Sequence, residues 1–186
     1  MRKIAFLDRD GTLIVEPEIT FQVNSLDEME FLPYVISSLK KIKDNGYDLV
    51  IVTNQDGLGT EANPTSNYEN INRKMLQIFA SEGVVFDKIL CCPHFKEDGC
   101  DCRKPKTKLV DDYLNGEKID IEKSFVDGDR DSDVELARNL KIKGFKLDKD
   151  NDWQKITKKA LSRTGKITRK TKETSILVAL NLDGEG

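Results

Sequence analysis

The sequence has no long apolar run. Its first apolar stretch, Ile4-Ala5-Phe6-Leu7 after Met1-Arg2-Lys3, is far too short for a secretory leader or a membrane-spanning helix, so a cytoplasmic protein is expected. Charge excess is nearly absent too. A net charge of -3 over 186 residues gives no global field to recruit nucleic acid or an anionic membrane. There is no internal repeat and no low-complexity tract. Cysteine is missing outside residues 91–102, and the single histidine, His94, falls inside that interval. A disulfide framework would spread its cysteines to staple distant segments. Clustering of this kind suggests a metal site instead. What remains, 38% hydrophobic and 34% charged, fits one globular domain with a proper core plus a short appendage.

Short apolar runs alternate with helical stretches. Lys3–Leu7 and 48–53 read as buried strands, ended by polar residues. Between them Pro33 opens a helix carrying Val35, Ile36, Leu39 and Ile42 on one face, and Gly46 closes it. Ser66 and Glu69 have capping-box spacing for a second helix that buries Tyr68, Ile71, Met75 and Phe79 and stops at Gly83. A strand over 86–92 follows, then a loop rich in Cys, Asp and Gly. Thr107 is expected to cap a helix through Leu114, with Gly116 after it. Strands over 123–126 and 144–147 flank a helix over about 131–139. This alternation predicts an α/β fold: a three-layer, doubly wound, mostly parallel sheet, with its ligand site beyond the carboxyl ends of the strands. From Trp153 onward Lys155, Lys158, Lys159, Arg163, Lys166, Arg169, Lys170 and Lys172 form a basic stretch. No aromatic residues interleave with it, so it reads as a solvated linker rather than a nucleic-acid contact. A strand-like segment, 175–182, comes last.

Asp8-Arg9-Asp10-Gly11-Thr12 follows the first strand. Carboxylates at i and i+2 can share one site if the chain turns there, and Gly11 permits the turn. One carboxylate can attack phosphorus, forming an aspartyl-phosphate, while its neighbour protonates the leaving oxygen and then activates water. Two anions attacking an anion need a hard divalent cation on oxygen ligands. Thr53-Asn54-Gln55 can hold phosphate oxygens, and Arg103-Lys104-Pro105 supplies a fixed cation. Asp129, Asp131 and Asp133 can complete an oxygen shell. Taken singly, these segments read equally as a polar turn, a helix cap, an exposed basic pair and an acid-rich helix start.

In order and placement, Asp-x-Asp-Gly-Thr, Thr-Asn, Lys-Pro and Gly-Asp-x-x-x-Asp together resemble the four motifs of haloacid dehalogenase-type phosphatases. The resemblance implies Asp8 as nucleophile and Asp10 as general acid/base, with Thr53 and Lys104 binding phosphate. Asn54, Gln55 and Arg103 would contact substrate. Catalytic magnesium would be held by Asp8, the Asp10 carbonyl and Asp129, with Asp133 acting through water or through other side chains.

Cys92-Pro93-His94 and Cys100-Asp101-Cys102 bring three thiolates and an imidazole together, a tetrahedral zinc set with no open position. Such a zinc is structural and clamps the loop that delivers Arg103 and Lys104; Cys91 faces the core. The C-x-H and C-x-C spacings depart from the usual knuckle, and reduced buried thiols or a local disulfide are the alternatives. Followed by Arg-Lys-Pro, this loop resembles the branch shared by histidinol-phosphatases and heptose-1,7-bisphosphate phosphatases. Phe6–Ile14 and Thr53–Thr60 are nearer to the former. That implies an amine- and imidazole-bearing substrate, for which Gln55, Asp56, Glu16 and Glu18 are candidate readers.

Residues from Arg169 to the end resemble the opening of imidazoleglycerol-phosphate dehydratase, which follows the phosphatase in some bacterial histidine-biosynthesis proteins. No histidine follows His94 to bind that enzyme's metal. The expectation is therefore a phosphatase domain over 1–162 and, over 163–186, a linker with the truncated start of a dehydratase. That second segment should be disordered or borrowed by a neighbour. The expected partners are a small phosphate monoester and, in a full-length protein, the dehydratase domain. Nucleic acid and membrane are not expected; a homodimer is left open. Two other functions stand beside this one: a heptose-bisphosphate phosphatase, and a non-catalytic zinc-stabilised binding module. The second is disfavoured because Asp8, Asp10, Thr53, Lys104 and Asp129 are all present.

Overall fold

The computed structural model describes residues 1–115 and 119–183. Gly116 and the last three positions, 184–186, lie outside the described residues. Five strands, β1 (Lys3–Leu7), β2 (Tyr47–Asn54), β3 (Lys88–Cys92), β4 (Phe125–Gly128) and β5 (Lys143–Lys146), form one parallel sheet in the order β3-β2-β1-β4-β5. Helices cover both faces, so the central strands are apolar throughout rather than alternating. Ala5 and Leu7 of β1 face one core, shared with helices α1 (Val35–Asp44), α2 (Thr65–Ser81) and α5 (Trp153–Ala160). Ile4 and Phe6 face the other, shared with α3 (Asp111–Asn115) and α4 (Asp131–Leu140). The expected three-layer, doubly wound architecture is what forms. No helix among the described residues is long and apolar enough to cross a membrane.

Local differences have local causes. Helix α2 starts one residue early, and Ser66 and Glu69 do not form a capping box. Pro64 takes the N-cap position in extended conformation and leaves Thr65 as the first helical residue, with no side-chain cap. Tyr68 is only partly buried, while Ile71, Met75 and Phe79 are fully so. Thr107 precedes a short 3-10 turn, Lys108–Val110, rather than capping an α-helix directly. Helix α5 was hidden in the basic stretch. Asp152 caps it by accepting the Lys155 N–H at 2.9 Å. Its Trp153 donates Nε1–H to the Thr12 carbonyl at 2.8 Å, tying α5 to the loop after β1.

Within the described residues the C-terminal segment, expected to be disordered or borrowed by a neighbour, is ordered as two strands. β6 (Thr164–Lys170) and β7 (Ser175–Asn181) pair with each other as an antiparallel hairpin. The basic stretch read as linker supplies the partner strand, which pairs one edge of β7. Ile167, Ile176, Leu177, Val178 and Leu180 of the hairpin are all exposed.

Candidate active site

The motif residues gather at the carboxyl ends of β1, β2 and β4. Asp8 leaves β1 with its N–H on the Asp127 carbonyl at 2.9 Å. The chain then turns through Gly11 at φ +71°, where a Cβ would collide with the Asp129 carboxylate. Only glycine serves both the turn and that close approach. Gly128 has a similar duty: a Cβ there would strike the Asp133 carboxyl group, which lies against the backbone at the start of α4.

Lys104 is the hub. Its Nζ lies 2.7 Å from Asp8 Oδ1 and 2.6 Å from Asp133 Oδ1, and the three side chains are almost wholly buried. Burial opposes the ammonium charge, but the two carboxylates outweigh it and raise its pKa. Asp133 also accepts the Arg130 N–H at 3.2 Å. Burial, with repulsion from Asp8, lifts its pKa to about 6 against the pull of Lys104. Asp129 is raised by burial and by Asp8, and its Oδ1 is buried without a hydrogen-bond partner. Asp127, on β4, is fully buried and held well above the normal carboxyl range by burial and by Asp133.

Carboxylate oxygens of Asp8, Asp129 and Asp133 lie within 4.8 Å of one another. An orphaned buried oxygen, hard donors and surplus negative charge fit a magnesium ion. Asp8 and Asp129 have oxygens to offer it, whereas Asp133 is already committed to Lys104 and the α4 N-terminus. The Asp10 carboxyl group is not part of that oxygen group, although it lines the same cavity as Asp8. Both of its oxygens engage the buried Arg9 guanidinium at 2.9 Å, and Oδ2 also accepts from Gln55 Nε2 at 2.7 Å.

Thr53 Oγ1 accepts from Gln55 Nε2 at 2.9 Å, leaving the hydroxyl proton free for a ligand oxygen. Asn54 is a clip: its side chain accepts the Lys104 N–H at 3.0 Å and donates to the Lys104 carbonyl at 3.4 Å. Asp8, Asp10, Thr53, Asn54, Gln55, Asp56 and Lys104 line a cavity of about 260 Å³, together with Glu16, Thr20, Phe21, Gln22, Arg130 and Ser132. Glu16 forms an ion pair with Arg130 there. Burial raises the Glu16 pKa to about 7; Arg130 opposes this, while Asp129, Asp10 and Asp8 add to it. Arg103 and Glu18 do not line the cavity. Arg103 forks onto Asp56, with Nη2 3.2 Å from Oδ2, and donates to the His94 carbonyl at 3.0 Å.

The sulfur cluster is separate. The Sγ atoms of Cys92, Cys100 and Cys102 are 3.2–3.6 Å apart, and His94 Nδ1 lies 3.2 Å from Cys102 and 3.7 Å from Cys92. Tetrahedral zinc with bonds of about 2.3 Å to sulfur needs ligand separations of about 3.7 Å, so the donor set fits. Cys91 stands apart, partly buried, its thiol pushed up by burial. Burial likewise pushes Cys92 up to about 12. For Cys100, hydrogen bonds from Cys102, Cys92 and the Arg103 N–H overcome desolvation and bring the thiol down to about 7.

Three participants were missed in the sequence: Arg9, Arg130 and Asp127. Arg9 had a signal, since the residue between two carboxylates that face a site must point into the core. Asp127 had a fainter one, a charge at the inward position of a strand.

The chain matches the family described as polynucleotide kinase 3 phosphatase over residues 3–165. It is 51% identical over 186 residues to the histidine biosynthesis bifunctional protein HisB of Buchnera aphidicola (subsp. Acyrthosiphon pisum), covering 98% of this chain and 52% of that protein. A protein of the same name from Campylobacter jejuni is 45% identical over 185 residues, with coverages of 98% and 52%. The chain thus spans about half the length of the curated relatives it matches. Among solved structures, the D,D-heptose 1,7-bisphosphate phosphatase from B. bronchiseptica, complexed with magnesium and phosphate, aligns with a TM-score of 0.75 at 26% identity, over 86% of this chain and 98% of that one. A haloacid dehalogenase-superfamily hydrolase from Ehrlichia chaffeensis shares the fold, with a TM-score of 0.58 at 18% identity over 86% and 97% of the two chains. With the motifs assembled on a parallel sheet, the chain belongs to the polynucleotide kinase 3 phosphatase family.

Proposed function

We propose that this domain hydrolyses L-histidinol phosphate to L-histidinol and phosphate, a step of histidine biosynthesis, through an aspartyl-phosphate on Asp8. The observation that carries the chemistry is the seating of Asp8. Its Oδ1 meets Lys104 Nζ at 2.7 Å and the Arg9 N–H at 2.8 Å, which leaves Oδ2 to attack phosphorus. Thr53 donates its hydroxyl proton to one phosphoryl oxygen, and Lys104 neutralises the charge that develops on the group. As the P–O ester bond breaks, Asp10 gives its proton to the leaving oxygen. It then takes a proton from the water that attacks the phosphorus of the aspartyl-phosphate, and Asp8 is restored as a carboxylate. Magnesium held by Asp8, the Asp10 carbonyl and Asp129 would supply further positive charge to the transferring group. Cys92, His94, Cys100 and Cys102 hold a structural zinc, and a reducing cytoplasm suits these thiolates.

The names of the relatives support the substrate. A second reading, a heptose-bisphosphate phosphatase, is favoured by the 0.75 alignment with such an enzyme. Phosphate release from the two esters, with and without magnesium, tests both. Magnesium-dependent preference for histidinol phosphate is expected; preference for the sugar overturns the assignment. We assign 1–162 to the phosphatase domain and 163–186 to the start of a dehydratase-like unit. The apolar, uncovered hairpin supports that boundary.

A further inference from the structure

Arg9 is 1% exposed, and a buried guanidinium is costly unless its N–H groups find partners. Its contacts converge on the proton-transfer group. Nε donates to Asp10 Oδ1 at 3.1 Å, and Nη2 donates to both Asp10 oxygens at 2.9 Å. Nη2 also reaches Gln55 Oε1 at 3.1 Å, and Gln55 Nε2 returns to Asp10 Oδ2 at 2.7 Å. On the far side, Nη1 donates to Asn72 Oδ1 at 3.0 Å, and the guanidinium lies 4.8 Å from the centre of the Tyr68 ring. Asn72 and Tyr68 both belong to α2.

A single hydrogen bond leaves a carboxyl group free to rotate about Cβ–Cγ. A planar fork on both oxygens does not. We propose that Arg9 is the positioning residue for proton transfer: it aims the Asp10 carboxyl group at the ester oxygen, using helix α2 as its base. The inference deepens the phosphatase reading and rests on Asp10 being the acid/base. Lysine could keep the charge but not the fork. Misplacing a proton donor by about 1 Å costs on the order of 10²-fold, and that cost falls only on esters whose leaving oxygen needs the proton. An alkoxide needs it; p-nitrophenolate does not.

The test is steady-state phosphate release with magnesium from histidinol phosphate, an alkyl ester, and from p-nitrophenyl phosphate. The full chain is compared with Arg9→Met, Arg9→Lys, Asn72→Leu and Asp10→Asn, with a melting curve for each. Arg9→Met should lose at least about tenfold more kcat on the alkyl ester than on the aryl ester, with KM changed less than about threefold. Asn72→Leu should shift the ratio in the same direction by less, and Arg9→Lys should recover part of it. Should Arg9→Met fail to fold, Asn72→Leu decides. Equal losses on both esters, while Asp10→Asn still separates them, would reduce Arg9 to a folding role and overturn the inference alone. If Asp10→Asn does not separate the esters, the acid/base reading fails and takes the inference with it.

Discussion

Among the described residues two groups of side chains are able to hold a cation, and they are built in opposite ways. Asp8 comes from one strand end, and Asp129 and Asp133 from another strand end and the helix start after it, far along the chain; the sheet brings them together where two of the three are buried. Cys92, His94, Cys100 and Cys102 come from one short loop that is largely exposed and contains a single three-residue 3-10 turn, Lys96–Asp98. Only Cys92 stands on a strand. The carboxylates are therefore held by the fold whether or not a cation binds, and they repel one another while they wait. The loop has little apolar burial to hold it, so a metal bound there would act as a structural member. On that reading one site spends the fold's stability on chemistry, and the other uses chemistry to complete the fold.

The sharpest way to separate them is Asp8→Asn. Magnesium-dependent phosphate release should fall by more than about 10³-fold, with the melting temperature held within a few degrees. Next comes metal removal. Stripping zinc, or Cys102→Ser, should lower Tm by about 10 °C or more and release the Lys104 loop. Omitting magnesium should abolish turnover and move Tm only slightly. If magnesium removal melts the protein and zinc removal does not, the contrast is broken.

Lys104→Met comes third, at about 3–5 kcal/mol in denaturant unfolding, because Asp8 and Asp133 lose the buried cation they share. Its pH signature follows from Asp133. A carboxyl raised to about 6 from its ordinary 3.8 binds more protons folded than unfolded. Stability therefore falls as pH rises between those values and levels off above them. Without Lys104 that decline should extend to higher pH. The smallest effect is Glu16→Gln. Glu16, raised to about 7 from 4.5, makes stability fall as pH climbs through that window. The variant should remove the decline, a difference of about 2 °C between melts at pH 5 and pH 8 without magnesium.

Much of the site was legible because its chemistry is local: Asp8, Thr53 and Asp129 each lie at or just after the end of an apolar strand. The zinc set was legible because it is compact and holds the only histidine. What was not legible depends on partners far along the chain. Nothing around Asn54 announces that its amide will clip the Lys104 backbone. Nor does the sequence reveal that Arg103, expected at the substrate, turns to Asp56 and the His94 carbonyl. Helix α5 did carry a signal, Trp153, Ile156, Thr157 and Ala160 at helical spacing, obscured by the lysines between them. The hairpin was missed for a related reason. A strand of basic residues is a poor strand until β7 pairs with it.

β1 stands in the middle of the sheet, between β2 and β4. Leu7 pairs with Ile51 in the first third of the chain, and with Asp127 only after most of it has been made. The first pairing closes a modest loop; the second must close a far longer one and comes late. Asp8 and Asp129 face each other only when that second pairing is in place. In a refolding experiment, helical signal should return first, and recovered turnover should mark the moment β4 has paired with β1.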